Sequence, residues 1–452
     1  MENRDKRQRK ASLVISGQIL ETVYDPIEKE TQFAVYENGE VQYKDFIKTD
    51  KDEFYPLDAR SEIVSKGVVL LPSESTEYES DEILIAEIKA FIHKYLDITA
   101  MFEEIASYYV LFSWVYDRFN ELPYLRAIGD YGSGKSRFIQ AIGSICYRPI
   151  FTGGATTTAP IFRILDEIKG TLILDEADLR FSDMTKDIIK ILNMGFQRGY
   201  PVLRMKHKDS PDIRAFEVFS PKIIATRETF DDKALESRFL IEEMGRGKLR
   251  NDVPRRLTDT FSEEARNIRN KLLMWRFRNY HKELIFDDTP MEGVQPRLHQ
   301  IIVPLLAIIE SKEVKQSLKE FIKKYNDELV ADRGMSWESD IMFTILKLAK
   351  DGAVSELTMK EISQFVNNEG DLEENTLTPK KVGWIIRTKL QLKPYKTRKG
   401  FVLDLKKNRE KLLFLKDKYG ITDSDLESEC VNNVNVVADK ENEEVVPENL
   451  WT

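Results

Sequence analysis

A glycine-rich run between residues 129 and 136 carries the residue types that bind phosphate groups. It fits the spacing G-x-x-x-x-G-K-[ST] at every fixed position, and it follows an apolar segment, residues 124–128, that predicts a β-strand. In such a loop the backbone N–H groups surround the phosphates, the lysine reaches the outer phosphates, and the final hydroxyl binds Mg²⁺. A predicted helix over residues 137–146 directs its positive N-terminus at the same anion. The predicted nucleotide-binding residues are Gly129, Asp130, Tyr131, Gly132, Ser133, Gly134, Lys135 and Ser136.

Two adjacent acids, Asp175 and Glu176, follow a second apolar segment at residues 171–174. Asp175 is predicted to hold Mg²⁺ together with Ser136, and Glu176 is predicted to orient and polarise the attacking water. The pair lies about forty residues after the phosphate loop. The two motifs together predict hydrolysis of a nucleotide and not binding alone.

Two further positions are predicted to act in catalysis beside Lys135 and Glu176. Thr226 ends the apolar segment that begins at Ser220, where its side chain is predicted to contact the attacking water or the γ-phosphate; the alternative is a strand-end cap. Arg238 follows the acidic turn at residues 231–232, and we predict that it neutralises transition-state charge on a nucleotide held by a neighbouring subunit. The alternative for Arg238 is a surface salt bridge.

The order of phosphate loop, acidic strand end, polar strand end and Ser237-Arg238 pair resembles an AAA+ ATPase over about residues 125 to 300. The resemblance implies ATP and Mg²⁺ as cofactors and an α/β fold with a five-stranded parallel sheet. It also implies a helical lid and a ring of subunits, expected to be a hexamer. The family usually carries asparagine where this chain has Thr226. In the lid, Arg297 resembles a sensor 2 arginine and is therefore a predicted nucleotide-binding residue.

Between the acidic pair and Thr226 the sequence predicts a helix, residues 184–195, and then a β-hairpin with a basic turn. A hairpin at this place resembles that of superfamily 3 and MCM-like helicases, in which it enters the pore of the ring and tracks single-stranded DNA. Phosphate contacts by such a turn are strong and independent of sequence. The alternative is a solvated basic turn. The predicted DNA-binding residues of the turn are Lys206, His207 and Lys208.

The C-terminal third predicts a helix opened by a capping box at Thr358, a second helix after Thr378-Pro379, and two strands around a turn at residues 396–400. This order resembles a winged helix-turn-helix. From Lys380 to Lys411 there are twelve Lys or Arg residues against two acids, which favours a nucleic-acid surface, here expected to bind duplex DNA. The alternative is a protein-interaction domain. Trp384 and Ile385 are predicted core residues, and the predicted DNA contacts are Lys381, Arg387, Lys396, Arg398 and Lys399.

The composition is typical of a multidomain protein without a transmembrane or signal segment, so the predicted location is the cytoplasm. Two cysteines and four histidines without ligand spacing predict neither a disulfide framework nor a zinc site. Much of the net charge of −9 lies in the C-terminal tail, which is predicted to be disordered. The predicted domains are a small β-rich N-terminal domain with an Asn38-Gly39 hairpin (1–75), a helical collar (80–120), the ATPase core (121–245), a helical lid and connecting bundle (246–350), the winged helix (351–420) and the acidic tail (421–452).

This layout is similar to that of ATPases of phages, plasmids and integrated elements that work beside primases. We therefore expect an ATP-hydrolysing ring motor that acts on DNA as a helicase or translocase, with a primase or another replication protein as a partner. One alternative is a DNA-bound ATPase switch, such as an initiator, loader or regulator, that does not unwind processively. Another is a nucleotide-gated scaffold for protein interactions.

Overall fold

The chain folds into two compact units that divide between Ile322 and Lys323 in a computed structural model. The structure describes residues 8–153, 156–175, 183–205, 212–230, 232–245, 247–334, 337–350, 355–369, 377–398 and 400–426. Of the predicted site residues, Glu176, Lys206, His207, Lys208 and Lys399 lie outside these ranges, as does the acidic tail from residue 427. None of the described helices is both long enough and apolar enough to span a bilayer.

The strands and helices of the first unit alternate after an all-β beginning. Its strands are β1 (Gln8–Lys10), β2 (Ser12–Ile15), β3 (Gln18–Asp25), β4 (Glu30–Glu37), β5 (Glu40–Lys44), β6 (Ile47–Lys48), β7 (Glu53–Pro56), β8 (Tyr124–Ile128), β9 (Ile150–Thr152), β10 (Leu172–Leu174), β11 (Val202–Met205), β12 (Ile213–Phe216), β13 (Lys222–Thr226) and β14 (Phe239–Glu243). Its helices are α1 (Glu62–Ser65), α2 (Asp81–Tyr95), α3 (Ala100–Trp114), α4 (Lys135–Gly143), α5 (Thr158–Ile168), α6 (Asp183–Met194), α7 (Lys233–Glu236), α8 (Asp259–Asn279) and α9 (Pro296–Ile308), and α10 (Lys312–Gly334) runs across the boundary.

The centre of the first unit is a five-stranded parallel sheet in the order β14-β8-β13-β10-β9. This confirms the predicted α/β fold with a parallel sheet. Its strands are buried along most of their length, which agrees with sequences that are apolar apart from Arg126 in β8 and Lys222 and Thr226 in β13. Because all five strands run in one direction, the loops that follow them meet at one edge, where open α/β sheets bind ligands.

Residues 8–56 form two small sheets, with strand orders β2-β3-β4-β5 and β1-β7-β6. The predicted hairpin is confirmed: β4 and β5 are joined by Asn38 and Gly39, whose φ angles of 52° and 90° are those of a turn that matches the twist of the strands. Val69 then pairs with Ile150 at the edge of the central sheet. The β-rich beginning is therefore docked on the edge of the central sheet.

A buried ion cluster joins this N-terminal part to the core. Glu21 on β3 is 2% exposed and accepts hydrogen bonds from the Tyr147 hydroxyl (2.8 Å) and the Arg276 Nε (2.8 Å), and it forms an ion pair with Arg148. Arg276 on α8 also donates to both carboxylate oxygens of Asp117, at 3.0 and 2.7 Å. A single carboxylate thus holds together three parts of the chain that are far apart in sequence.

Lys222 begins β13 and is fully buried. Its ammonium donates to the carbonyls of Gly195 (3.2 Å), Val218 (3.0 Å) and Ser220 (2.8 Å), and burial lowers the pKa of Lys222 well below its ordinary value. The lysine therefore ties the end of α6 to the start of β13. Because the β11–β12 hairpin leaves and re-enters the fold between these points, Lys222 fixes the base of the hairpin.

The second unit has its own apolar core. It contains α11 (Trp337–Lys350), β15 (Glu356–Thr358), α12 (Met359–Glu369), α13 (Pro379–Thr388), β16 (Tyr395–Thr397), β17 (Gly400–Asp404) and α14 (Arg409–Lys418), with a sheet in the order β15-β17-β16. The predicted capping box is confirmed, since Glu361 N–H donates to the Thr358 hydroxyl (3.1 Å) and Thr358 N–H donates to the Glu361 carboxylate (2.7 Å).

The prediction that Trp384 belongs to this core is wrong. Ile385 is 4% exposed as expected, but Trp384 is 51% exposed. On a helix, consecutive side chains point about 100° apart, so an apolar run of three cannot face one core. The inward positions of α13 are taken by Val382, Gly383 and Ile386, together with Ile385.

Candidate functional site

The phosphate loop lies between β8 and α4 at the carboxyl edge of the central sheet. Its first residue is held between two neighbouring strands: Gly129 N–H donates to the Thr226 carbonyl (3.4 Å), and Met244 N–H donates to the Ile128 carbonyl (2.7 Å). A Cβ at Gly129 would lie 2.7 Å from the Met244 carbonyl oxygen, so this position requires glycine. Gly134, with a φ of 98°, turns the chain directly into α4.

The two motifs predicted to bind nucleotide and metal meet in space. The Ser136 hydroxyl, in the first turn of α4, donates to the Asp175 carboxylate at 3.2 Å. Hydroxyl and carboxylate oxygens are the ligands that Mg²⁺ prefers, so this pair fits the predicted metal. The Lys135 ammonium donates to the carbonyls of Gly129 and Asp130, both at 2.6 Å, and therefore lies against the loop that it is predicted to serve. Within the described residues there is no group of three or more His, Cys, Asp or Glu side chains placed to hold a metal.

A cavity of about 290 Å³ opens at this edge of the sheet. It is lined by the loop residues from Tyr131 onward, by Asp175 and by the end of β13. Sequence reasoning missed three of its residues, Arg137, Ala225 and Arg227. The Arg227 guanidinium lies 3.7 Å from the centre of the Tyr131 ring. The available signal was its position directly after Thr226, at the carboxyl end of a buried strand.

Thr226, which lines the same cavity, carries a buried hydroxyl. The residue is 2% exposed, and its Oγ1 has no hydrogen-bond partner among the described residues. An unpaired buried hydroxyl costs folding free energy, and such groups are retained where they serve a site. A strand-end cap would have a backbone partner, which Oγ1 lacks among the described residues. The contact with water or the γ-phosphate stays a prediction.

We expect Thr226→Val to lower turnover without lowering thermal stability. Valine keeps the shape but removes the unpaired hydroxyl, so the melting temperature should stay unchanged or rise. If the hydroxyl stabilises the transition state, kcat for ATP should fall by about a hundredfold. Steady-state hydrolysis and thermal unfolding of the same preparation measure both effects.

Thr171→Val is the matched control, because the buried Thr171 hydroxyl does donate a hydrogen bond, to the Tyr147 carbonyl at 3.0 Å. That variant should lose about 1 kcal/mol of unfolding free energy and keep its turnover. Unchanged turnover in Thr226→Val would assign the hydroxyl no part in the reaction.

The two predicted arginines, Arg238 and Arg297, lie together near the amino-terminal ends of the central strands. The phosphate loop lies at the carboxyl-terminal ends. Arg238 is 7% exposed, donates to the Asn193 side chain at 2.6 Å, and has its guanidinium 4.3 Å from the centre of the Phe196 ring. The Arg297 guanidinium lies 5.0 Å from the same ring. Burial, followed by the charge of Arg297, lowers the pKa of Arg238 below its ordinary value.

Within one chain neither arginine joins the cavity at the phosphate loop. The Arg238 carbonyl accepts from Tyr124 N–H, at the start of β8, whereas the loop follows the end of that strand. A strand rises about 3.3 Å per residue, so the two ends of β8 are about 13 Å apart. An action of Arg238 on nucleotide therefore requires a neighbouring subunit.

Arg126 on β8 connects this arginine pair to the strand of the phosphate loop. It is fully buried and forms a two-point ion pair with Glu236 on α7, at 2.7 and 2.6 Å. Paired hydrogen bonds between a guanidinium and a carboxylate fix orientation as well as distance. Because Glu236 lies two residues before Arg238, the pair positions the arginine relative to β8.

The predicted hairpin between the acidic pair and Thr226 is confirmed in its two strands, while its basic tip lies outside the described residues. β11 and β12 pair antiparallel, with Met205 opposite Ile213. Two ion pairs hold the hairpin against α6 and α5, Arg204 with Asp187 (2.8 Å) and Arg214 with Asp166 (3.2 Å). A cavity of about 520 Å³ lies between these elements and is lined by both arginines and by the exposed Arg163.

The predicted DNA-binding residues of the second unit that the structure describes lie on its surface. Each of them is exposed on α13 or on the β16–β17 hairpin, namely Lys381, Arg387, Lys396 and Arg398. Arg387 lies against Phe401 of β17, 5.2 Å from the ring centre. The helix and the hairpin therefore present a shared basic surface with aromatic side chains in it.

No protein-family model matches the chain, and no curated protein matches it significantly. Among solved structures it is similar to the apo C-terminal region of NrS-1 (residues 305–718), with 11% identity over 85% of this chain and 96% of that one and a TM-score of 0.33. It is also similar to the active helicase Cch of SCCmec type IV (10% identity, 89% and 98% covered, TM-score 0.38) and to the JCV helicase (13%, 54% and 66%, TM-score 0.25). Similarities this distant carry no argument about activity, which depends on the residues described above.

Proposed function

We propose that this protein is an ATP-hydrolysing AAA+ motor that moves along DNA as a helicase or translocase and assembles as a ring. One observation carries the proposal: Lys135, the Ser136–Asp175 pair and the unpaired Thr226 hydroxyl converge at one sheet edge. A hairpin anchored by Lys222 is inserted directly before the strand that carries Thr226. The chain thus joins a site for phosphoryl transfer to an element suited to hold a polymer.

Each residue has a separate part in the proposed reaction. The glycine loop and Lys135 bind the phosphates, and Thr226 and Glu176 orient the attacking water. Ser136 and Asp175 would hold Mg²⁺, which when bound neutralises charge on the phosphate oxygens. Arg238, positioned by Glu236, would reach the nucleotide of the next subunit, with Arg297 beside it. The second unit, as a winged helix, would bind DNA and load or anchor the ring.

Movement caused by nucleotide hydrolysis would reach the DNA through strand β13. Thr226 lies at one end of this strand, and Lys222 at the other end holds the base of the hairpin. A shift of the strand on hydrolysis would therefore move the basic tip, residues 206–208, along the phosphate backbone. In the cavity beside the hairpin, Arg204 and Arg214 are paired with carboxylates, so the exposed Arg163 would add positive charge to the same path.

The test is ATP hydrolysis with and without single-stranded DNA, combined with strand displacement on a forked duplex. DNA should stimulate hydrolysis by the wild type, and Lys206→Ala/Lys208→Ala should abolish the stimulation while leaving basal turnover unchanged. Lys48→Ala/Lys51→Ala removes the same charge from exposed positions of the N-terminal part and should behave as wild type.

The outcomes separate the alternatives. Stimulated hydrolysis without displacement would support a DNA-bound switch in place of a motor. Hydrolysis that DNA does not change would support a nucleotide-gated protein scaffold. If DNA still stimulates hydrolysis by Lys206→Ala/Lys208→Ala, the hairpin tip does not contact the DNA.

A further inference from the structure

We propose that Trp384 is a stacking platform for an unpaired nucleobase, so that the second unit engages single-stranded nucleic acid and not only duplex backbone. The proposal rests on the proposed action on DNA and adds a binding mode to it. It starts from the indole, which is 51% exposed on a helix whose exposed residues also include Lys380, Lys381 and Arg387.

The surroundings of Trp384 indicate a nucleic acid. Helix α13 contains no acidic residue, and Lys380, Lys381 and Arg387 are exposed on it. The Lys389 ammonium lies 6.0 Å from the centre of the Trp384 ring. A phosphate backbone complements this charge, and the flat indole offers a surface for the base that the backbone carries.

The chemistry of the indole favours stacking over reading of base edges. Indole has a single N–H donor, so it cannot form the two-point hydrogen bonds that identify a base pair in the major groove. Stacking accepts every base, because each base has an aromatic face. The occupant is therefore an unpaired base of a single strand, such as the strand at a fork.

Binding of the full-length protein to a single-stranded dT oligonucleotide, compared with an abasic strand of equal length, tests this inference. The two ligands carry the same phosphates and differ only in their bases. Wild type should bind the dT strand about tenfold more tightly than the abasic strand, and Trp384→Ala should lose that preference while binding the abasic strand normally. Trp384→Phe should keep most of the preference, because it keeps an aromatic face.

Tryptophan emission reports the contact directly. The dT strand should quench the emission of wild type more than that of Trp384→Phe, because the other four tryptophans, among them the buried Trp114 and Trp275 and the partly buried Trp337, are present in both proteins. Phe414→Ala is the matched control: Phe414 is 58% exposed on α14 with the Lys411 ammonium 5.0 Å from its ring, and the variant should bind both strands as wild type does.

The failures are distinguishable. A wild-type protein that binds neither strand would overturn both the proposed function and this inference. Binding of both strands with equal affinity in wild type and Trp384→Ala would overturn the inference alone. So would quenching by duplex but not by single strand, or an equal loss in Phe414→Ala.

Discussion

Lys135→Ala should reduce ATP turnover by about a hundredfold or more, because removal of one preorganised donor to the reacting oxygens typically costs that much. Lys135 starts α4 and lines the cavity with Ser136 and Asp175, and its ammonium donates to two carbonyls of the same loop. In the reaction it would exchange those carbonyls for phosphate oxygens. Steady-state phosphate release and calorimetric titration with nucleotide would separate loss of turnover from loss of binding.

A control is needed to show that the loss of turnover in Lys135→Ala does not result from unfolding. The side chain contacts only loop carbonyls among the described residues, so the thermal midpoint should change little. Lys48→Ala, which removes a lysine that is 70% exposed, should leave turnover unchanged. Turnover within threefold of wild type in Lys135→Ala would mean that this loop does not hold the hydrolysed nucleotide.

Glu21→Gln should lower the free energy of unfolding by about 3–5 kcal/mol, the usual cost of leaving buried charges without their partner. The Glu21 carboxylate forms ion pairs with Arg148 and Arg276. Arg276 also forms an ion pair with Asp117. Arg148 and Arg276 are at most 2% exposed, so water cannot solvate their charges once the Glu21 carboxylate is lost. Denaturant unfolding followed by circular dichroism measures the loss.

A control and a coupling test accompany Glu21→Gln. Glu62→Gln breaks an ion pair on the surface, where Glu62 is 80% exposed, and should leave the unfolding midpoint unchanged. Combining Glu21→Leu with Arg148→Met should cost less than the sum of the two single variants, because no isolated charge of that pair remains. Additive costs would show that Glu21 and Arg148 do not act as a pair.

The same cluster predicts loss of stability in acid. Burial by itself raises the pKa of Asp117, but the charge and hydrogen bonds of Arg276 outweigh it, so the pKa of Asp117 is lowered below 3.8. A lowered pKa means that the folded state favours the carboxylate. The stabilisation is complete above the pKa of the unfolded chain, about 3.9, and is lost as the pH falls through the lower pKa of the folded state.

Motif spacing and local pattern predicted the elements whose identity depends on nearby residues. The strand at residues 124–128, the Asn38-Gly39 hairpin and the Thr358 capping box depend on contacts within a few residues, and each was found where predicted. Phosphate binding by the loop that follows this strand stays a prediction. The five-stranded parallel sheet was expected from the resemblance to AAA+ ATPases, and the observed sheet agrees with that expectation.

Tertiary structure decided which distant residues meet. The sequence placed Glu21 in a small β domain without a legible role, and only the packed fold brings it to Arg148 and Arg276. The pairing of Arg238 with Arg297 on Phe196 likewise depends on how α9 packs. Trp384 was assigned to the core because it is apolar, although helix geometry turns it to solvent. Local sequence fixes backbone conformation and motif chemistry, whereas buried charge pairs and exposed faces depend on long-range packing that no short pattern encodes.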